Sequence, residues 1–263
     1  MARTDTLKEI ISNKKGRLSL AKQQMPEEEM EAKARSAAQA RPFIEAINKP
    51  RQISLIAEIK KASPSAGVIR QDFNHLDIAR AYRDAGAQAI SVLTEEDHFQ
   101  GNISYINQIK NAVGLPVLRK DFIIEPYQVY ESRFYGADAI LLIAGLLTQE
   151  QITEFTAVAS GLGMDCLVEV HNENELKKVL KLKGIPLIGI NNRDLRTLEV
   201  DPKTTEKLYT LIPGDKVVVV ESGLKSYQDI LFLKILGVNA VLVGTAFMRE
   251  ENIAAKVEEL MGW

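Results

Sequence analysis

Six runs of apolar residues along the chain end where a polar or charged side chain begins. They are Leu55-Ile-Ala-Glu58-Ile-Lys60, Pro116-Val-Leu-Arg-Lys120-Asp121, Cys166-Leu-Val-Glu169, Leu187-Ile-Gly-Ile-Asn191, Val217-Val-Val-Val-Glu221 and Val241-Leu-Val-Gly244-Thr245. Buried strands stay apolar because an unpaired charge is costly in low dielectric. Polar groups at the exits of several strands therefore point to a site built at one end of a parallel barrel.

Between such runs the pattern changes period, and a strand-then-helix unit recurs about every 25 to 30 residues. The predicted strands are 53–59, 88–93, 116–119, 138–143, 164–169, 186–190, 216–221 and 239–243. The predicted helices are 75–86, 102–113, 125–136, 148–161, 172–183, 202–211, 225–236 and 250–261. Turn pairs such as Gly86-Ala87, Gly136-Ala137 and Gly237-Val238 stand between helix and strand, where glycine stops a helix. Strict alternation with β-branched strands implies a parallel sheet, and eight units point to an α/β protein of the (β/α)8 TIM-barrel class. A doubly wound open sheet is the competitor, but no Gly-x-Gly-x-x-Gly follows the first strand.

Residues 1–48 read differently, rich in Lys, Glu, Ala and Gln without a β-branched run. Helices are expected to start near Thr4 and Pro26, where acidic side chains suit the N-terminal end of the helix dipole. Leu7, Ile10, Ile11, Leu18 and Leu20 are the expected packing positions, a flexible tail being the alternative. The expected organisation is an N-terminal helical extension over 1–48, packed on a catalytic barrel over 49–263.

Side chains alternate across a strand with period two. If Ile56 faces the barrel interior, so do Glu58 and Lys60. The same step joins Leu118 to Lys120, Leu167 to Glu169, Leu187 and Gly189 to Asn191, and Val217 and Val219 to Glu221. Two lysines, three glutamates and an asparagine then face one mouth. Such a cluster splits pKa values, so that a lysine donates a proton while a glutamate accepts one. A lysine there also suits a Schiff base with a ketone, and the residues leave that choice open. Structural ion pairs are the plainer alternative.

Small residues at Glu221-Ser222-Gly223 and Gly244-Thr245 follow the seventh and eighth strands, where barrels commonly bind phosphate through backbone N–H groups. The loop Lys61 to Gly67 is long and turn-rich, either a lid over the mouth or simply a long connection. Phe99, Phe122, Leu141 and Leu142 are candidates for a flat apolar slot. Arg193, beside Asn191, suits a carboxylate, unless it only pairs with Asp194 on the surface.

The bulk composition narrows the partners. Among 263 residues, 33 are basic and 35 acidic, for a net charge of −2. Nothing in this balance points to an electrostatic nucleic-acid binder or polybasic membrane anchor, so an anionic ligand must be held by local geometry, not by a global field. The single cysteine, Cys166, sits in an apolar run and is expected to be a core thiol. His75, His98 and His171 are scattered, and no metal site is expected. Without an apolar signal core or a membrane-length run, a cytoplasmic protein is expected.

Glu58-Ile-Lys-Lys-Ala-Ser-Pro-Ser, Leu93-Thr-Glu with Phe99-Gln-Gly-Asn, Leu118-Arg-Lys-Asp-Phe122-Ile, Leu167-Val-Glu-Val-His171, Ile188-Gly-Ile-Asn-Asn-Arg-Asp-Leu195 and Glu221-Ser-Gly223 resemble the signature segments of indole-3-glycerol phosphate synthase. The resemblance runs from about residue 5 to the C-terminus. It implies ring closure, decarboxylation and dehydration of 1-(2-carboxyphenylamino)-1-deoxyribulose 5-phosphate, with no cofactor or metal. It also implies catalytic roles for Lys120 as general acid at the ketone oxygen and for Glu169 as base in dehydration. Lys60 is implied either to hold the substrate carboxylate or to act as a second acid. Glu58 and Glu221 are implied to orient the lysines and the substrate hydroxyls, and Asn191 to bind substrate. Arg193, Ser63, Phe99, Phe122 and Leu141 are the further substrate-binding candidates, and Ser222, Gly223, Gly244 and Thr245 the phosphate-binding ones. The partner is a phosphorylated small molecule, with neither nucleic acid nor membrane, and a monomer is compatible with the pattern. Ala66, where many members carry a basic residue, and Thr245 depart from the family pattern. A Schiff-base aldolase using Lys120 and a non-catalytic sugar-phosphate-binding barrel remain as alternatives.

Overall fold

The computed structural model describes residues 4–263, so residues 1–3 of the expected extension lie outside it. Three helices lead: α1 (Thr4–Gln24), α2 (Glu27–Arg35) and α3 (Phe43–Ile47). The first barrel strand, β1 (Ser54–Ile59), is followed by a short hairpin of β2 (Ala62–Ser63) and β3 (Gly67–Val68). Helix and strand then alternate through α4 (His75–Asp84), β4 (Ala89–Leu93), α5 (Ser104–Val113), β5 (Val117–Lys120), α6 (Pro126–Phe134) and β6 (Ala139–Ile143). The series continues with α7 (Gln149–Gly161), β7 (Asp165–Val170), α8 (Glu173–Leu180), β8 (Leu187–Asn191), α9 (Lys203–Tyr209) and β9 (Val217–Glu221). It ends with α10 (Tyr227–Leu236), β10 (Ala240–Val243), α11 (Thr245–Met248) and α12 (Ile253–Met261).

The eight long strands close into a parallel barrel in which β1 pairs with both β4 and β10. This is a (β/α)8 TIM barrel, and the expected strands match within about a residue because their β-branched runs are bounded by turn chemistry. Side-chain caps start several helices: Asn74 for α4, Thr148 for α7, Asn172 for α8, Ser226 for α10 and Asn252 for α12. Gly237 ends α10 at φ 100°, a left-handed cap that a Cβ would oppose.

Period-two alternation sorts the core into two layers. Ile56, Leu118, Leu141, Leu167, Leu187 and Val219 fill the barrel interior. Their neighbours, among them Leu55, Ile90, Ile140, Val168 and Ile188, pack outward under the helices. Cys166 belongs to this outer layer, 6% exposed, as a core thiol. Leu142 is also outward, so it is excluded from the apolar slot expected of it: the register that sends Leu141 in sends its neighbour out.

The N-terminal segment is ordered helix bound to the barrel at both ends. Phe43 and Ile47 of α3, an element absent from the expectations, are fully buried and join the interior core. Asp138 and Asp165, at the starts of β6 and β7, accept backbone N–H bonds from Arg41 (2.7 Å) and Ile44 (3.0 Å), fixing this plug at the strands' N-terminal end. At the opposite end, Ile10 of α1 joins the same interior cluster. Leu18, Met30 and Tyr127 form a small separate core between α1, α2 and α6. Leu20 is 60% exposed, contrary to its expected packing role, because the buried face of α1 runs through Ile10, Lys14 and Leu18.

Candidate active site

The inward register of five strands carries a polar group to the same mouth. Glu58 from β1, Glu169 from β7, Asn191 from β8 and Glu221 from β9 are buried side chains there. Lys60, just past β1, and Lys120, at the end of β5, keep 14% of their side-chain surface exposed. All six line one cavity at the C-terminal end of the barrel. The other candidates, Ser63, Phe99, Phe122, Leu141, Arg193, Ser222, Gly223, Gly244 and Thr245, line the same cavity.

Lys120 is the electrostatic centre. Its Nζ lies 3.3 Å from Glu169 Oε2 and 3.2 Å from Glu221 Oε2. Burial disfavours its charge, but Glu169, Glu221 and Glu58 together outweigh that and hold the ammonium protonated well above the usual lysine range. Burial also opposes ionisation of Glu169, and Lys120 and His171 overcome it, placing this carboxyl far below the ordinary range. Glu221 goes the other way: burial, reinforced by the charges of Glu169 and Glu58, outweighs Lys120 and raises it to about 8. Two carboxyls sharing one ammonium cannot both ionise freely, and the one with a second cationic neighbour keeps the charge. Glu221 Oε1 is buried without a hydrogen-bond partner among the described residues, so it is available to a ligand hydroxyl. Lys60 forms its own ion pair with Glu58.

Two glycines make room for these carboxyls. A Cβ on Gly189 would lie 2.9 Å from Glu221 Oε1 and 3.2 Å from Leu167 Cδ1. A Cβ on Gly244 would collide with the Glu58 carboxyl. Gly244 thus serves the acidic cluster as well as the loop in which the sequence placed it. After β9, Ser222 adopts φ 67° and Gly223 φ 83°. Left-handed geometry is uncommon for serine, and local strain of this kind clusters at ligand sites. Asn192 Nδ2 holds the carbonyl of Ser222 at 3.1 Å, while Asn192 Oδ1 accepts from the Thr205 backbone and hydroxyl.

The apolar wall has a member that sequence reasoning missed. Phe99 and Phe122 are tilted at 44° with centroids 6.2 Å apart, and Leu141 lies in the same lining. Thr6, Leu7 and Ile10 of α1 complete it, so the leading helix forms part of the pocket. The spacing of Leu7 and Ile10 was visible in the sequence, but not what it faced. Asp121, between Lys120 and Phe122, accepts from the Phe122 backbone (2.8 Å), Thr94 (2.7 Å) and Arg119 (3.0 Å) and pairs with Lys14 of α1 (2.9 Å).

Arg193 is half-buried in the cavity lining, where its Nη1 donates to the Leu198 carbonyl at 2.9 Å. The Asp194 carboxylate instead lies 3.7 Å from Arg196. The loop after β1 is the β2–β3 hairpin, which brings Ser63, Pro64 and Ser65 to the cavity while Gly67 and Val68 remain exposed. Its base is tied down by Ala62 N–H to the Phe99 carbonyl (3.2 Å) and Ile69 N–H to the Lys61 carbonyl (2.8 Å). The three carboxyls of the cup converge on ammonium groups, and among the described residues no cluster of three or more His, Cys, Asp or Glu is arranged to hold a metal ion. None of the described helices is long and apolar enough to cross a membrane.

A family profile described as indole-3-glycerol phosphate synthase matches residues 7–260. The chain belongs to the indole-3-glycerol phosphate synthase family. The indole-3-glycerol phosphate synthase of Acetivibrio thermocellus is 50% identical over 255 residues, 96% of this chain and 98% of that protein. The enzyme of the same name from Neisseria meningitidis serogroup C is 49% identical over 260 residues, 98% of this chain and 99% of that one. Solved barrels of other names share the fold alone. The tryptophan synthase complex from Pyrococcus furiosus aligns with a TM-score of 0.61 and 20% identity over 80% of this chain and 98% of that one. KGPDC from Streptococcus mutans gives a TM-score of 0.61 and 12% identity over 80% of this chain and 96% of that one.

Proposed function

We propose that Lys120 and Glu169 move the protons of indole ring formation in this family member. The chain is a carboxy-lyase of tryptophan biosynthesis, an indole-3-glycerol phosphate synthase. Its substrate is 1-(2-carboxyphenylamino)-1-deoxyribulose 5-phosphate. In the first step the aromatic carbon bearing the carboxylate attacks the ketone carbon. The Lys120 ammonium gives a proton to the carbonyl oxygen, which becomes a hydroxyl. The C–CO2 bond then breaks and its electron pair restores the aromatic ring. In the last step the Lys60 ammonium, free once carbon dioxide has left, gives a second proton to that hydroxyl, which leaves as water while Glu169 takes a proton from the adjacent methylene, forming the indole double bond.

The observation that carries this assignment is Lys120 held protonated between one ionised and one neutral carboxyl. A Schiff-base lysine must react as the free amine, and the upward shift keeps Lys120 as the ammonium, the form that carries the proton and cannot attack a ketone. Lys60 and Arg193 are the cations for the substrate carboxylate. The ion pair with Glu58 gives Lys60 a partner to return to when carbon dioxide leaves. Asn191 and Glu221 bind substrate hydroxyls, and Phe99, Phe122 and Leu141 sandwich the anthranilate ring. Ser63 closes one side, and backbone N–H groups of Ser222, Gly223, Gly244 and Thr245 hold the phosphate.

We take 1–48 as the extension and 49–263 as the catalytic barrel. We take the enzyme as cytoplasmic, and a monomer is compatible with a site whose proposed residues all come from one chain. The test is indole fluorescence developing from the substrate. Lys120→Met lowers turnover by about a hundredfold or more, the scale of a lost general acid. Full activity in that variant, or borohydride trapping of substrate on Lys120, refutes the assignment.

A further inference from the structure

The inward step of β7 does not stop at Glu169. Leu167 and Glu169 are followed two residues later by His171, which the period-two alternation sends to the same side. Its side chain is 5% exposed and lies between two carboxylates: Nε2 is 3.0 Å from Glu169 Oε1 and Nδ1 is 3.0 Å from Glu175 Oε2. A neutral imidazole carries one N–H and would set a ring lone pair against one of these carboxylates. Only the imidazolium sets positive charge between the two with no lone pair facing either. The Glu169 contact is off the line of a well-formed hydrogen bond, so charge rather than directionality carries it.

Glu175 is itself a built partner. It is the third residue of α8, whose cap Asn172 accepts its backbone N–H at 3.0 Å and donates to its Oε1 at 2.7 Å. Its Oε2 also accepts the His171 backbone N–H at 2.9 Å. Gly145 leaves space for this carboxyl, since a Cβ there would lie 3.0 Å from Glu175 Oε1. The helix start therefore anchors Glu175, Glu175 anchors the ring, and the ring's far nitrogen reaches the carboxylate assigned as base.

We propose that His171, backed by Glu175, is a positioning residue that keeps Glu169 ionised and aimed into the cup. The inference rests on the assignment of Glu169 as base. The charged groups facing the imidazole are Glu169 on β7, the strand it follows, Glu175 on α8 and, more distantly, Asp194 beyond β8, with Lys120 across Glu169. Burial alone would discharge the ring, but Glu169 and Glu175 outweigh it and raise His171 to about 10. In turn the imidazolium joins Lys120 in lowering Glu169. This second cation is what separates Glu169 from Glu221.

The decisive measurement is a nitrogen-15 NMR titration of the imidazole in the whole enzyme. His171 stays doubly protonated through pH 8, and Glu175→Gln or Glu169→Gln lowers its midpoint by about a unit or more. A midpoint near the ordinary histidine value in the unmodified enzyme overturns the proposal without any reference to turnover. In kinetics, His171→Leu moves the acid limb of kcat to higher pH by about one unit, roughly a tenfold loss of rate below it, with KM changed less. His171→Gln restores part of the rate through a neutral donor but keeps the displaced limb. An unmoved limb in both folded variants refutes the role. Wild-type turnover in Glu169→Gln would instead overturn the base assignment, while leaving the NMR result standing.

Discussion

Replacing Lys14 by methionine tests how the leading helix is coupled to the catalytic strand. Lys14 is 5% exposed and Asp121 fully enclosed, with Nζ 2.9 Å from one carboxylate oxygen and 3.2 Å from the other. Methionine fills a similar volume, so the perturbation is mostly loss of charge. Breaking a buried pair by removing one partner costs about 3 to 5 kcal/mol when the other is stranded. Asp121 is not stranded, because Arg119 remains at 3.0 Å, Thr94 at 2.7 Å and the Phe122 N–H at 2.8 Å. Arg119, however, is shared with Glu131 at 2.8 Å, so the cluster is left with excess negative charge. The expected cost is therefore about 2 to 3 kcal/mol, just under the range for a fully stripped pair. At about 2–4 °C per kcal/mol for a chain of this size, the melting temperature falls by about 5–10 °C.

Burial opposes the Asp121 charge, and Lys14 and Arg119 overcome it, holding the carboxyl well below the usual aspartate range. A depressed carboxyl contributes stability that is present above its unfolded pKa and lost as pH falls towards the folded one. Acid unfolding of Lys14→Met accordingly begins at higher pH than in the wild type. The assay is urea unfolding across about pH 3 to 7, where carboxyls of this kind titrate, repeated for Asp121→Asn and the double variant, so that the cycle isolates the pair. A loss under about 0.5 kcal/mol with additive single variants refutes the coupling.

Glu221→Gln removes a carboxyl that the native state keeps protonated to about pH 8. The folded protein holds that proton while the unfolded chain releases it, so this group's contribution to stability declines as pH rises from about 4.5 to about 8. Thermal scans should show the variant gaining on the wild type over that interval while turnover drops about tenfold; parallel pH curves would contradict the assignment. Gly189→Ala places a methyl 2.9 Å from Glu221 Oε1 and should cost about 1–3 kcal/mol and displace Glu221 from Lys120. Unchanged melting and kcat would show that the cup has slack there. Burial pushes the Cys166 thiol up to about 12, so a thiol reagent should label the native protein only at the rate of unfolding. Rapid labelling under native conditions would place this thiol outside the core.

The apolar runs and their period determined the barrel, because each strand must bury both faces and each helix one. The same period aligned Glu58, Lys120, Glu169, Asn191 and Glu221 on one mouth in the linear chain. It was equally able to reveal His171, one step past the end of β7, and to exclude Leu142, one residue out of register. The β2–β3 hairpin, the α3 plug and the four-residue helix α11 were not legible. Such elements are too short for a periodic signal and are held by contacts with distant parts of the chain.

Only the tertiary structure decided which charges meet. Lys14 and Asp121 are 107 residues apart, Lys120 and Glu169 49 apart. Local sequence sets the direction in which each side chain points, but not its neighbour across the barrel, nor the water lost on closure. The split between an ionised Glu169 and a neutral Glu221 depends on both of these, since it comes from burial and from which carboxyl has a second cation beside it. Barrel closure therefore gave residues that the sequence could only align their separate charge states.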